Sequence, residues 1–219
     1  MLGGDRRRLE LAYSLMFTLP GTPVIRYGDE IGMGDDLSLP ERNCARTPMQ
    51  WSDEAHGGFT GGAAKPHLPV IDKGTYGYEH VNAAKQRRDT NSMLNWTERI
   101  IRMRKEVPEV GWGDFKVIAT RDPAILIVRY DWRNNSVLFV HNFDEQPREI
   151  SFATGLRGHD GKQLINLLSE DHSHADARGR HKLVIEPYGY RWYRVGGLDY
   201  LLKRGDIGAR KTAKTRHPG

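Results

Sequence analysis

Only one cysteine, Cys44, occurs among the 219 residues. It excludes an intramolecular disulfide, and the start of the chain lacks the short apolar block with a small-residue cleavage site that marks a secretory leader. A reducing compartment, the cytoplasm, is the expectation. The longest apolar stretch, residues 9–23, is broken by Glu10, Tyr13, Ser14, Thr18 and Pro20, and it falls short of the ~20 apolar residues of a bilayer span. No membrane partner is expected. A charge excess is also missing from most of the chain. Residues 203–219 hold Lys203, Arg204, Arg210, Lys211, Lys214 and Arg216 against Asp206, which accounts for the whole net charge of +5. The remainder is balanced, so a basic face for nucleic acid is excluded. No internal repeat is found.

What is present is enough apolar material, 38% of residues, for one sizeable domain or two small ones. Near the start, Leu9, Ala12, Met16 and Leu19 recur at three- and four-residue steps, with Leu11 and Leu15 widening the stripe, and Pro20-Gly21 stops it. This spacing predicts an amphipathic helix. The run 24–27 between Pro23 and Gly28 reads as a short strand of a parallel sheet. Residues 28–91 are rich in Gly, Pro, Asp and Asn without sustained periodicity, far beyond the usual connection of about 2–6 residues. Their aromatic and proline content (Trp51, Phe59, Tyr76, Tyr78, Pro40, Pro48) predicts an ordered loop packed on itself. A second helix is predicted from Ser92 to Pro108.

Beyond residue 108 the pattern becomes β. Short runs at 115–119, 124–130, 137–142, 148–152, 163–167, 182–185 and 190–195 are parted by turn signals, which suits an antiparallel sandwich. Arg133-Asn134-Asn135-Ser136 reads as a hairpin turn in which Asn takes the positive φ. The expected organisation is therefore a part over 1–108 with helices, one parallel-sheet strand and the long loop 28–91, an all-β domain over 109–197, and a basic, disordered tail over 198–219.

Several constellations invite a chemical reading. Asp29-Glu30 follows the predicted strand, yet neighbours on an extended chain point to opposite sides, whereas glycoside hydrolysis needs two carboxylates converging about 5–9 Å apart. Structural hydrogen bonding is the expected role. The stretch Arg42-Asn43-Cys44-Ala45-Arg46-Thr47-Pro48-Met49-Gln50-Trp51 combines guanidinium forks with a flat aromatic, groups that bind sugar hydroxyls and pack on pyranose rings. A self-packed loop with arginines on surface carboxylates fits the same composition. His172, His174 and His181 with Glu170, Asp171 and Asp176 could ligate a metal, but they lie in or beside a polar stretch, 169–179, that reads as an exposed connection. Cys44 has no paired base and reads as inert. Gly28, Gly32 and Gly34 lack the following helix that a dinucleotide phosphate needs.

The run Leu19-Pro20-Gly21-Thr22-Pro23-Val24-Ile25-Arg26-Tyr27-Gly28-Asp29-Glu30-Ile31-Gly32-Met33 resembles the eighth-strand segment of the α-amylase family of glycoside hydrolases. Arg46-Thr47-Pro48-Met49-Gln50-Trp51 is similar to the following loop in its α-glucosidase and trehalose synthase branch. Val81-Asn82, Gln86-Arg87-Arg88-Asp89, Leu94-Asn95-Trp96, Pro108-Glu109-Val110-Gly111-Trp112-Gly113 and Pro187-Tyr188-Gly189-Tyr190-Arg191-Trp192 resemble the trehalose synthase branch in particular. The resemblance covers about residues 1–196.

It implies an α+β chain: the last strand and flanking helices of a (β/α)8 barrel, followed by an antiparallel β-sandwich C-terminal domain. The implied activity is isomerisation of maltose to trehalose by retaining transglucosylation. Its three carboxylates would lie on barrel strands preceding the first residue of this chain. No catalytic residue is therefore assigned here. Arg46 would close the glucose pocket, with Gln50, Trp51, Tyr76 and Tyr78 as pocket-lining candidates. The family's calcium ligands lie mostly upstream, so no cofactor and no metal site are expected. The implied partners are maltose, trehalose or other glucosides, and an N-terminal barrel fragment. A single barrel strand exposes two unpaired edges, so residues 1–108 should be poorly stable alone. A non-catalytic carbohydrate-binding or regulatory module and a fragment of an α-glucosidase-type hydrolase remain as alternatives.

Overall fold

In the computed structural model, residues 2–61, 63–156 and 161–196 are described. The basic tail expected at 198–219 lies outside them. The chain forms two compact units, Met1–Gly21 with Met103–Gly219, and Thr22–Arg102. The first helix thus belongs with the β-rich part, and the boundary expected at residue 108 does not coincide with this division.

The β-rich unit opens with α1, Arg6–Thr18, capped by the Asp5 carboxylate, which accepts the Arg7 N–H at 2.8 Å. Its buried residues are Leu11, Ser14, Phe17 and Thr18. The expected stripe through Leu9, Ala12, Met16 and Leu19 is therefore displaced around the helix, and Leu19 is exposed. The reason is polar rather than apolar. Ser14 Oγ and Thr18 Oγ1 lie 2.9 and 3.4 Å from His141 Nε2, Trp192 Nε1 donates to Ser14 Oγ at 2.8 Å, and the Tyr130 hydroxyl donates to Thr18 O at 2.8 Å. Buried polar atoms must find partners, and those partners decide which face turns inward.

The strands are β1 (Asp114–Ile118), β2 (Ile125–Trp132), β3 (Asn135–Asn142), β4 (Arg148–Phe152), β5 (Gln163–Asn166), β6 (Ser173–His174), β7 (His181–Ile185) and β8 (Tyr190–Val195). Six form an antiparallel sheet in the order β1-β2-β3-β8-β5-β6, and β4 pairs β7 in a second. Ile125, Ile127, Leu138, Val140, Leu164 and Tyr193 from the large sheet meet Ile150, Phe152, Leu183 and Ile185 from the small one. That core makes the sandwich. The opposite face carries Tyr130, Phe139, Trp192 and His141, the face that meets α1. The seven expected strands all form, and only the two-residue β6 lies outside the expected runs.

Two local details differ from expectation. At the β2–β3 turn the positive φ, 55°, falls on Arg133 and not on an asparagine, and its guanidinium lies over the Trp132 ring at 4.3 Å. A short helix, Glu109–Trp112, precedes β1. It buries Glu109, whose Oε1 accepts from Arg194 Nη1 at 2.8 Å.

In the unit Thr22–Arg102, the expected strand at 24–27 does not form: residues 22–26 carry no regular structure and a turn begins at Tyr27. A β-favouring run becomes a strand only by pairing, and no described strand lies beside it. Val24 and Tyr27 are accordingly exposed. Within 28–91 lie three 3-10 turns and a six-residue helix, α2, Ala83–Arg88, which carries the Asn82 carboxamide as its cap. The helix predicted from Ser92 forms as Met93–Glu106, with Met93, Trp96, Thr97 and Ile100 buried. Among the described residues no helix is long and apolar enough to cross a membrane.

Candidate functional site

The long loop of the second unit begins with a tight turn. Gly28 sits at φ 93°, a left-handed angle that favours glycine, and a Cβ there would also come within 2.5 Å of Met33 Sδ. The neighbouring acids hold this turn. Asp29 Oδ2 accepts Arg26 N–H at 2.9 Å, and Glu30 Oε2 accepts Gly28 N–H at 2.7 Å. The structural role expected for the doublet is what the geometry displays. Ile31, Met49 and Ala83 form a small core with Met33, Val81 and Leu94 against it.

Order in the rest of the loop comes from side-chain amides. Gln50 Nε2 donates to Tyr76 O at 2.9 Å and to Val81 O at 2.5 Å. Asn82 Oδ1 accepts Lys85 N–H while its Nδ2 donates to Tyr78 O, both at 2.8 Å. Gln86 Nε2 donates to Ile31 O at 2.7 Å and its Oε1 accepts Leu94 N–H at 2.9 Å. Each amide offers donors and an acceptor on one short arm, which lets it join loop segments without a ladder. The sequence reading attributed the loop's order to aromatics and prolines and missed these staples. Their only signal was the placement of Asn and Gln beside turns.

Arg46 and Trp51 flank a buried tetrapeptide. Thr47, Pro48, Met49 and Gln50 are all buried, whereas Arg46 is exposed and Trp51 is 48% exposed. The segment is tied beneath α2, since Ala83 N–H donates to Gln50 O and Ala84 N–H to Trp51 O at 3.0 and 2.9 Å. On its other side, Trp51 N–H donates to Gly57 O at 2.7 Å. Gln50, expected as pocket lining, is instead enclosed: both its amide hydrogen bonds run to backbone carbonyls within the loop. Tyr76 is partly exposed and rests on Gly34, where a Cβ would meet its ring at 2.5 Å. Tyr78 is half-buried against Gly57. Among the described residues no hydrogen bond, ion pair or ring contact joins the Arg46, Trp51, Tyr76 and Tyr78 side chains to one another. What the loop presents is a charged fork and a flat aromatic on a braced segment, the groups a sugar ring needs on its polar and apolar sides.

The other constellations have structural occupations. Cys44 Sγ donates to Glu41 O at 2.9 Å. His181 lies 2.9 Å from Ser173 Oγ and 3.0 Å from Gly161 O, and burial lowers its pKa. His172 Nδ1 accepts Asn166 N–H at 3.1 Å. Asp171 and Glu186 receive Arg191. Among the described residues no three His, Cys, Asp or Glu side chains converge as a metal group would require.

Comparison with known proteins places this geometry. Residues 1–113 match the family model of the alpha-amylase catalytic domain, and residues 135–194 match that of a sucrose hydrolase-like C-terminal domain. A trehalose synthase from Pimelobacter sp. is 34% identical over 204 residues, covering 91% of this chain and 35% of that protein. A trehalose synthase from Thermus thermophilus is 33% identical over 206 residues, 92% of this chain and 21% of that protein. The crystal structure of the trehalulose synthase MutB from Pseudomonas mesoacidophila superposes with a TM-score of 0.69 at 25% identity, over 89% of this chain and 40% of that one. The chain therefore spans about a third or less of the curated relatives it matches. By its sequence over more than half its length and by its fold, the chain belongs to the alpha-amylase family.

Proposed function

We propose that this chain is the C-terminal portion of an enzyme that isomerises maltose to trehalose by retaining transglucosylation, with the bond-breaking carboxylates supplied outside its 219 residues. Residues 1–108 are its barrel-derived part and 109–197 its C-terminal β domain, acting in the cytoplasm. The observation that carries the reading is the braced Arg46 to Trp51 segment, similar to the trehalose synthase loop and presenting an exposed guanidinium beside a buried anchor. Arg46 would bind the glucosyl hydroxyls, and Trp51, Tyr76 and Tyr78 would border the sugar, holding released glucose in the pocket and excluding water during transfer. The identity to two trehalose synthases supports it.

The test is a chimaera in which this chain replaces the aligned region of the Pimelobacter sp. relative. Maltose should be converted to trehalose. Arg46→Ala in the chimaera should lower kcat/KM about ten- to a hundred-fold, the worth of one hydrogen bond to a charged group. Turnover of maltose by the purified 219-residue chain alone refutes the assignment of the carboxylates elsewhere. A folded chimaera that only releases glucose favours an α-glucosidase-type hydrolase. An inert chimaera, with Arg46-dependent maltose binding by the chain alone, favours a carbohydrate-binding module.

A further inference from the structure

Strand β1 is an edge of the six-stranded sheet, with β2 on one side and no strand on the other among the described residues. Its residues are exposed from Asp114 to Val117. Phe115 and Val117 share the face of Tyr130 and Val128, their register partners. They remain 39% and 61% exposed, and Trp112, two residues before the strand, is 76% exposed. An unpaired strand edge that carries exposed apolar side chains is a template for another strand.

The charges specify which strand. Within the sheet, register sets Asp114 opposite Asp131 and Lys116 opposite Arg129, like charges at positions where cross-strand neighbours interact most. Lys116 Nζ escapes diagonally to Asp131 Oδ2 at 2.8 Å, where Arg129 Nη2 also binds at 2.7 Å. Asp114 has no cation partner among the described residues. A second strand supplying a cation opposite Asp114, an anion opposite Lys116 and an aromatic between them would satisfy this edge. Asp114-Phe115-Lys116 read backwards is that strand.

We propose that the outer edge of β1 pairs antiparallel with β1 of a second copy of this chain, centred on Phe115, forming a two-fold dimer with a continuous sheet. Each Asp114 then faces the other copy's Lys116, the two Phe115 rings are neighbours, and Trp112 flanks the seam. A residue-centred two-fold keeps Phe115 and Val117 of both copies on one face, as the strand's alternation requires.

The experiment is light-scattering mass measurement of the full chain under reducing conditions across a concentration series. The mass should rise toward twice 25.0 kDa. Lys116→Asp sets four carboxylates across the seam and should weaken the dimer about ten-fold or more. Adding Asp114→Lys should restore it, and that double swap also places a cation opposite Asp131 and an anion opposite Arg129, so the monomer's own sheet is not harmed. Amide exchange in β1 should slow in step with dimerisation. A monomer at every concentration, or a dimer indifferent to the single swap, overturns the proposal; the latter outcome would assign association to another surface.

Discussion

Protonation of His141 gives a direct measure of how tightly α1 is welded to the sheet. The ring is fully buried, and burial alone lowers its pKa from 6.5 to about 3. Its neighbours are the Ser14 and Thr18 hydroxyls, with no carboxylate among its hydrogen-bond partners to stabilise an imidazolium. The folded pKa is below the unfolded value, so the unfolded chain binds the extra proton between those limits and stability rises with pH there. The contribution is complete above about pH 6.5 and is lost progressively as pH falls toward 3, at up to ~1.4 kcal/mol per unit and about 5 kcal/mol over the full window. That total is an upper bound, because the helix can open locally and admit water before the whole unit unfolds. His181, also lowered by burial, acts with the same sign. Between pH 6.5 and 5.5 carboxylates are largely ionised in both states, so histidine dominates the slope. Urea unfolding followed by near-ultraviolet circular dichroism, which reports the buried aromatic cluster, should show the wild-type midpoint falling steadily over this range. His141→Gln, which keeps a hydrogen-bonding group without a titrating one, should flatten that dependence while costing about 1–2 kcal/mol at pH 7. Identical pH slopes for the two proteins would refute the reasoning.

Other consequences follow from named contacts. Glu109→Ala removes the buried carboxylate that accepts Arg194 Nη1 at 2.8 Å and should cost about 3–5 kcal/mol in denaturant unfolding, whereas replacing both partners with apolar residues should cost much less. Gln50→Ala leaves the Tyr76 and Val81 carbonyls without their donor and should speed proteolysis and amide exchange around residues 50–82 with a loss of about 1–3 kcal/mol; Gln50→Glu should do the same, since a carboxylate cannot donate to either carbonyl. Arg46→Ala should leave the unfolding midpoint within about 0.5 kcal/mol of wild type, because the side chain is exposed, so any loss of sugar binding by that variant reports contact and not folding.

The difference between local and non-local information explains what could be read in advance. The β-rich character of the runs 124–130, 137–142 and 190–195 is a property of each segment, and all became strands of the expected kind. Pro20-Gly21 and Ser92 delimit helices through groups only a few residues away. The similarity of residues 19–33 and 46–51 to the alpha-amylase family likewise rests on contiguous residues, and the family match over 1–113 agrees with it.

Tertiary structure decided the rest, because each outcome depended on atoms far away in sequence. Residues 24–27 have the composition of a strand, but pairing is supplied by neighbours, and no described strand supplies it. Helix α1 carries a respectable apolar stripe, yet Ser14 and Thr18 turn inward because His141 and Trp192, more than 120 positions away, hold their hydroxyls. Gln50 reads as pocket lining beside Arg46 and Trp51; the loop's return past Tyr76 and Val81 makes it a brace. The like-charge register of β1 and β2 is invisible in either strand alone. Sequence by itself determined the two long helices, the strand runs of the β domain and the family; the pairing of distant groups determined which faces are buried, which residues brace the loop and which edge is left unpaired.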